Sequence, residues 1–301
     1  MTQREVGLAE SKGVARALPR DFIALTKPRI TTLVLTTAAG GMWLAPERVT
    51  ALTWATMLLG TGLIVSGANA LNMYIEREVD GKMERTRQRP LPCGRMAPRV
   101  ALWFGVGLSA VAVPILAIGV NATTALLAVL ANVTYVLAYT PLKQKSHAAL
   151  FVGAVPGAIP PLMGWTAATS YVDAGGFALF AILFFWQIPH FLAIALFRQE
   201  DYARAGLYVM PNVLGEPTTK QNIVSYTGAL VAASLLVFPL GISGRVYLVT
   251  AFVLGCTFLA WGCYGLRPAS DEKRRKWARS LFAYSIVYLV LLFATLVIDK
   301  R

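Results

Sequence analysis

Nine apolar runs of membrane-crossing length follow one another along this chain, at residues 29–46, 51–75, 99–118, 121–140, 148–168, 174–197, 222–242, 246–266 and 281–298. A helical crossing of the hydrocarbon layer takes about 17–25 apolar residues. Inside that layer every backbone polar group must be satisfied within the segment. The expected fold class is therefore an all-α integral membrane protein with nine transmembrane helices over residues 29–298. Residues 1–28 are read as a cytoplasmic N-terminal tail and 299–301 as a short C-terminal tail. A soluble domain is about one quarter charged, whereas here 14% of the 301 residues are charged and 56% are hydrophobic. That balance excludes a soluble or a disordered chain.

The net charge is +13, but an apolar chain with a basic excess is not thereby a nucleic-acid binder, and no nucleic-acid partner is expected. Cys93, Cys256 and Cys263 show no paired spacing. They support neither a disulfide framework nor a zinc site nor covalent haem attachment. Residues 1–28 lack the apolar core of a cleavable signal peptide.

Orientation follows from the basic residues. With nine spans, 24 of the 28 Lys and Arg fall in the tail and in the loops after even-numbered spans, and four fall on the other side. Basic residues stay on the cytoplasmic side, so the N-terminus is expected inside and the C-terminus outside. The fifth run contains Pro156, Pro160 and Pro161 and a Gly153-x-x-x-Gly157 pattern. Such prolines are tolerated only where neighbours or a cavity satisfy the freed carbonyls, and small residues four apart suit close helix packing.

Acidic residues contribute little to orientation, yet 12 of the 15 lie on the cytoplasmic side and cluster there. One cluster ends the second run. Asn72, Glu76 and Asp80 are spaced by four, and Asn69 precedes Asn72 by three. On a helix these four share one face. Polar groups beside hydrocarbon are costly unless used, and oxygen-only donors suit Mg²⁺ that bridges carboxylates to substrate phosphates. Arg85 and Arg89, again four apart, have the chemistry of a phosphate clamp. The competing reading is a solvated helix end with a positive-inside loop, which accounts well for Arg77, Lys82, Arg87, Arg95 and Arg99. It accounts poorly for two amides within an apolar run. A second cluster, Glu200 and Asp201 beside Arg198 and Arg204, follows the sixth run. Earlier in that run lies His190, one of two histidines; blind to any relative, a lone histidine there reads as a hydrogen-bonded packing residue.

The pattern N-x-x-x-E-x-x-x-D over Asn72–Asp80, followed by R-T-x-x-R-P-L-P from Arg85, resembles the first motif of the UbiA superfamily of intramembrane prenyltransferases. Further segments narrow the resemblance to its haem-farnesylating branch. These are Leu25-Thr-Lys27-Pro-Arg29, Tyr139-Thr-Pro-Leu-Lys143, Gly157-Ala-Ile-Pro-Pro-Leu-Met-Gly-Trp165, Trp186-Gln-Ile-Pro-His190-Phe and Arg198-Gln-Glu-Asp-Tyr-Ala-Arg-Ala-Gly206. It covers about residues 22–298. The resemblance implies a nine-helix bundle around a central cavity that opens to membrane lipid under cytoplasmic loops. It implies transfer of a farnesyl group from farnesyl diphosphate to the 2-vinyl group of haem B, with addition of water. Catalytic roles then fall to Asn69, Asn72, Glu76, Asp80 and His190. Asn72, Glu76 and Asp80 would hold Mg²⁺, with Glu200 and Asp201 as candidates for a second ion. Arg85, Arg89, Lys143 and Arg198 would bind diphosphate. His190 becomes a candidate axial ligand of haem iron or a proton acceptor. The resemblance also implies a bacterial cytoplasmic membrane (alternatively the mitochondrial inner membrane), with haem A synthase or terminal-oxidase assembly factors as partners. Near Ser146-His-Ala-Ala149, relatives often carry asparagine where Ala149 falls, so no polar role is transferred there.

Two rival readings stand beside this one. A quinone-precursor or chlorophyll-type acceptor would call for a second aspartate motif in place of His190. A secondary transporter would place its charges near the bilayer midplane, whereas these lie at the cytoplasmic ends of the spans.

Overall fold

A computed structural model describes residues 17–301 apart from residues 85, 205, 268 and 269. Helices dominate it: α1 Pro19–Thr26, α2 Pro28–Leu44, α3 Ala51–Lys82, α4 Pro98–Gly119, α5 Ala122–Leu142, α6 Ala149–Thr169, α7 Ala174–Phe197, α8 Gln199–Arg204, α9 Met210–Val213, α10 Gly215–Leu236, α11 Arg245–Tyr264 and α12 Asp271–Ile298. Short turns join the long helices, and side-chain caps set where three of them begin. Thr50, Asn121 and Asp173 accept from the backbone N–H three residues on, at 3.2, 2.8 and 2.9 Å, opening α3, α5 and α7. Each satisfies one of the N–H groups that a helix start leaves without a partner.

Among the described residues, seven helices are long and apolar enough to cross a membrane. They correspond to the expected spans except the first and the seventh. In the first position α2 has 17 residues, about 26 Å at 1.5 Å per residue, short of a hydrocarbon layer of about 30 Å. In the seventh, α10 begins at Gly215 through the polar turns Gly-Glu-Pro-Thr-Thr-Lys-Gln-Asn and ends at Leu236. The run expected to reach residue 242 instead breaks into turns at Pro239 and Gly241, the latter with φ +75°.

The helices pack in a curved series. α3 lies along α4, α5 along α6, and α6 between α2 and α7; α7 meets α10 and α12, with α11 against both of these. α12 touches α2, bringing the last helix back to the first long one. Large apolar side chains such as Trp103, Ile118 and Leu126 stay exposed on the outer surface, as lipid-facing residues do.

The proline-bearing α6 is the most enclosed of the membrane-length helices. Pro156, Pro160 and Pro161 are all buried within it. It approaches α2 so closely that a Cβ on Gly164 would sit 1.9 Å from the Ala38 carbonyl oxygen, and one on Gly41 2.0 Å from that of Pro161. Gly153 and Gly157 serve different neighbours: a Cβ there would collide with the Tyr139 ring at 2.6 Å and with Gln187 Oε1 at 2.1 Å. Backbone cannot yield as a flexible side chain can, so Gly164→Ala is expected to cost about 1–3 kcal/mol. Thermal unfolding in detergent, compared with the same change at Gly107, where no atom stands within 4 Å, measures it.

Candidate active site

α3 has 32 residues, about 48 Å of helix, and its last turns carry the polar stripe. Asn69, Asn72, Glu76 and Asp80 do share one face, and all four are buried, at 3, 2, 6 and 1% exposure. A solvated helix end would leave them in water, so their burial rules that reading out for these four. Buried carboxylates need partners, and each chemical group of the stripe has one.

Three cations reach the stripe from three elements. Lys27 Nζ donates to Asn72 Oδ1 at 2.7 Å, Lys143 Nζ to Glu76 Oε1 at 3.2 Å, and Arg89 Nη1 to Asp80 Oδ2 at 2.6 Å. Asn72 in turn donates to Thr140 Oγ1 at 3.2 Å, whose hydroxyl donates to the Tyr135 carbonyl at 2.8 Å. Asn69 donates to the Thr26 carbonyl at 3.3 Å.

Local folding explains how each cation arrives. After α3 the chain turns back on itself, with Thr86 Oγ1 donating to the Asp80 carbonyl at 2.8 Å and the Arg89 N–H to the Thr86 carbonyl at 2.9 Å. The R-T-x-x-R spacing thus folds Arg89 over the helix end; Arg85 lies outside the described residues. Lys143 ends α5 just beyond a π-helical stretch, Thr134–Tyr139, a widened turn often found at functional sites. Tyr135 and Tyr139 stack there at 5.4 Å between ring centroids. Lys27 joins α1 to α2 in the left-handed region, φ 47° and ψ 66°. That conformation is costly for a non-glycine residue. The burial of Leu25 against Ala70 and Met73 and the Arg95–Asp21 ion pair at 2.9 Å hold α1 in place around it. Arg95 keeps the Asp21 carboxyl below its usual range. Burial, reinforced by repulsion from Arg89, pushes the Lys27 ammonium down to about 8.

The donor set fits magnesium. Among the described residues no three His, Cys, Asp or Glu side chains form a metal-holding group, so this is no all-protein cage. One amide and two carboxylates are present instead, and Mg²⁺ characteristically takes one or two carboxylates and completes its shell with water and phosphate. Glu76 uses Oε1 and Asp80 Oδ2 in their ion pairs; the other oxygen of each has no hydrogen-bond partner among the described residues.

His190 sits elsewhere, on the buried face of α7. Its ring stacks on Trp186 at 4.6 Å and packs against Phe282 at 4.8 Å. Its Nδ1 lies 2.7 Å from Ser285 Oγ, while that hydroxyl donates to the Phe282 carbonyl at 2.6 Å. A serine has one proton and a carbonyl can only accept. With that proton given to the carbonyl, Nδ1 is the donor to Ser285, and Nε2 has no hydrogen-bond partner among the described residues.

The second acidic cluster stands apart from the stripe. Glu200 pairs with Arg275 of α12, and Asp201 with Arg204 and, at 3.1 Å, with Arg198. No hydrogen bond or ion pair links Arg198, Glu200 or Asp201 to the stripe among the described residues. Lys27, Thr140 and Ser285 took no role in the sequence reading. Lys27 and Thr140 stood inside quoted motifs, and the pre-proline lysine entering the first run was the available signal. Ser285 gave none.

Comparisons with known proteins bear on this arrangement. The family model described as the UbiA prenyltransferase family matches residues 33–286. A protoheme IX farnesyltransferase of Myxococcus xanthus is 52% identical over 289 residues, covering 95% of this chain and 97% of its own length. One from Sorangium cellulosum is 53% identical over 281 residues, covering 88% and 99%. Among solved structures, a UbiA homologue from Archaeoglobus fulgidus bound to GPP and Mg²⁺ superposes with a TM-score of 0.64 at 15% identity, covering 92% of this chain and 99% of its own. A structure described as digeranylgeranylglyceryl phosphate synthase in membranes gives 0.81 at 15% identity, covering 93% and 97%. At that identity the two structures show a shared fold.

Proposed function

The chain belongs to the UbiA prenyltransferase family, and on that footing we propose that it transfers the farnesyl group of farnesyl diphosphate to the 2-vinyl group of protohaem IX. The carrying observation is the buried stripe, in which Asn72, Glu76 and Asp80 each take one cation, Lys27, Lys143 and Arg89 in turn. Relatives at 52% and 53% identity are named protoheme IX farnesyltransferase. The C1–O bond of farnesyl diphosphate breaks and diphosphate leaves with the electron pair. The terminal vinyl carbon bonds to C1, water captures the cation left on the side chain, and a proton is lost. The product is haem O with its hydroxyethylfarnesyl arm.

Asn72, Glu76 and Asp80 would hold Mg²⁺, which when bound supplies positive charge to the diphosphate oxygens; the Archaeoglobus homologue was solved with that ion and a prenyl diphosphate. Lys27, Lys143 and Arg89 exchange their oxygen partners for phosphate oxygens and stabilise the leaving charge. Tyr135 and Tyr139 offer aromatic faces to the allylic cation. His190, with Nε2 free, is in the state an axial iron ligand requires. Glu200 and Asp201 are the candidates for a second Mg²⁺, for which Glu200 would give up Arg275 and Asp201 both Arg198 and Arg204.

Orientation with the N-terminus on the cytoplasmic side of the membrane completes the reading, with product passed to haem A synthase or oxidase assembly. In intact bacteria an impermeant thiol reagent should label a cysteine added after Arg301 and leave Cys93 unlabelled until the membrane is opened.

Incubating membranes that contain the protein with farnesyl diphosphate and either haem B or 4-hydroxybenzoate tests the function. Haem O is the expected product, and prenylation of the phenol alone would overturn the proposal. Lys27→Met, which keeps the side chain's length but not its charge, should raise KM for farnesyl diphosphate about tenfold, the loss of one charge-assisted contact. Steady-state kinetics at fixed haem B reads this directly.

A further inference from the structure

A continuous aromatic wall leads from His190 to a cationic cleft at the cytoplasmic end of α7. The His190 ring packs on Phe282 at 4.8 Å, and Phe282 on Phe197 at 5.8 Å. Over the Phe197 ring lie two guanidinium groups, Arg279 at 5.9 Å and Arg198 at 6.0 Å. Phe197, Arg198, Glu200, Asp201, Arg275 and Arg279 line a cleft of about 280 Å³ there. Arg198 caps the helix that carries His190, eight residues further on and about 12 Å along its axis.

The charges in this cleft do not balance. Arg198 and Arg204 share Asp201, and Arg275 pairs with Glu200. Arg279 has no ion-pair partner among the described residues. The acids are 47 and 70% exposed, so water screens these pairs and they hold the arginines weakly. The arginines are thus available to an anion that brings its own apolar body to cover them. Guanidinium forks match carboxylates in two-point geometry.

A ligand that uses all of this surface has a metal centre for the free imidazole nitrogen, a flat apolar face for the aromatic wall, and carboxylates on short arms for the arginines. We propose that Arg198, Arg275 and Arg279 form the carboxylate subsite of the tetrapyrrole acceptor and bind its two propionates while His190 faces the metal. This inference rests on protohaem being the acceptor. It moves Arg198 from the diphosphate, where the resemblance placed it, to the acceptor, and leaves the diphosphate to the stripe on α3. It also orients the acceptor, since propionates at the cytoplasmic surface direct the opposite edge of the macrocycle inward.

The test is titration of the purified protein in detergent with ferric protohaem IX and with its dimethyl ester, followed by Soret absorption. Esterification removes both charges and leaves the metal and the ring unchanged. The wild-type protein should bind the diacid about tenfold more tightly than the ester, as expected for one partly exposed charge-assisted contact. Arg275→Gln with Arg279→Gln should erase that preference while affinity for the ester stays the same, which shows that the fold is intact. The lysine pair at the same positions should restore part of it. A preference that survives the double substitution would overturn the proposal. So would equal binding of diacid and ester by the wild type, and phosphatidylglycerol binding lost in the double variant would then assign the cleft to lipid head groups. If neither porphyrin bound, the acceptor reading itself would fall with it, and haem O formation by membranes decides that point separately.

Discussion

Asp80→Ala is expected to lower farnesyl transfer by at least about 10³-fold in a protein that still extracts from the membrane folded. Removing one preorganised group that stabilises developing charge commonly costs 10²–10³, and Asp80 would hold the ion as well as Arg89. The cost to stability should be smaller. Breaking a fully buried ion pair costs about 3–5 kcal/mol because a charge is stranded. The Arg89 side chain, however, is 25% exposed and can turn to water. Asp80→Asn separates charge from shape, since it keeps the volume and removes the anion; it should be as inactive as the alanine variant. Magnesium-dependent binding of farnesyl diphosphate, measured by calorimetry, should vanish in both. Normal haem O production by Asp80→Ala would remove the metal proposal. Glu76→Ala should behave alike through Lys143, whose side chain is 35% exposed.

His190 carries the second large effect, of about 10²-fold or more on turnover, with farnesyl diphosphate binding retained. Its ring is packed between Trp186 and Phe282, so truncation to alanine leaves a cavity and costs stability as well. His190→Phe is the cleaner substitution because it fills the space and lacks the nitrogen. The Ser285 hydroxyl keeps its bond to the Phe282 carbonyl in that variant. Loss of the haem Soret shift with prenyl diphosphate affinity unchanged identifies an iron-facing imidazole; equal loss of both would make His190 a packing residue. Ser285→Ala should weaken haem binding several-fold by releasing Nδ1, and Ser285→Thr should restore it, because the hydroxyl bonded to Nδ1 sets which ring nitrogen carries the proton and how the ring is turned.

How far such a site can be read from sequence depends on whether its parts are neighbours along the chain. Asn72, Glu76 and Asp80 are four apart, so helix geometry places them on one face before any packing is known. Arg89 lies nine residues beyond Asp80 and returns through a local turn closed by Thr86. Lys27 and Thr140 reach Asn72 across 45 and 68 residues, and His190 meets Ser285 across 95. No periodicity predicts such meetings. The left-handed backbone at Lys27 is likewise imposed by how α1 docks on α3, and nothing in the Thr-Lys-Pro triplet announces it.

The second acidic cluster shows the same limit. Its residues directly follow α7, where the sixth run ends. Whether they meet the stripe depends on the arrangement of α7 and α12, and in this fold Arg275 of α12 claims Glu200.

Hydrophobic run length and the lopsided distribution of basic residues were enough for the membrane, the helical class and the expected orientation, because the bilayer acts on each segment separately. The stripe's chemistry was legible for a related reason: one helix carries it. Packing settled the rest. It determined where α2 and α10 end, that Lys27, Lys143 and Arg89 each take one group of the stripe, and that His190 meets Ser285 through Nδ1. Those outcomes depend on contacts between segments far apart in the chain, where close fit and the demand that buried polar groups find partners act only once the helices have come together.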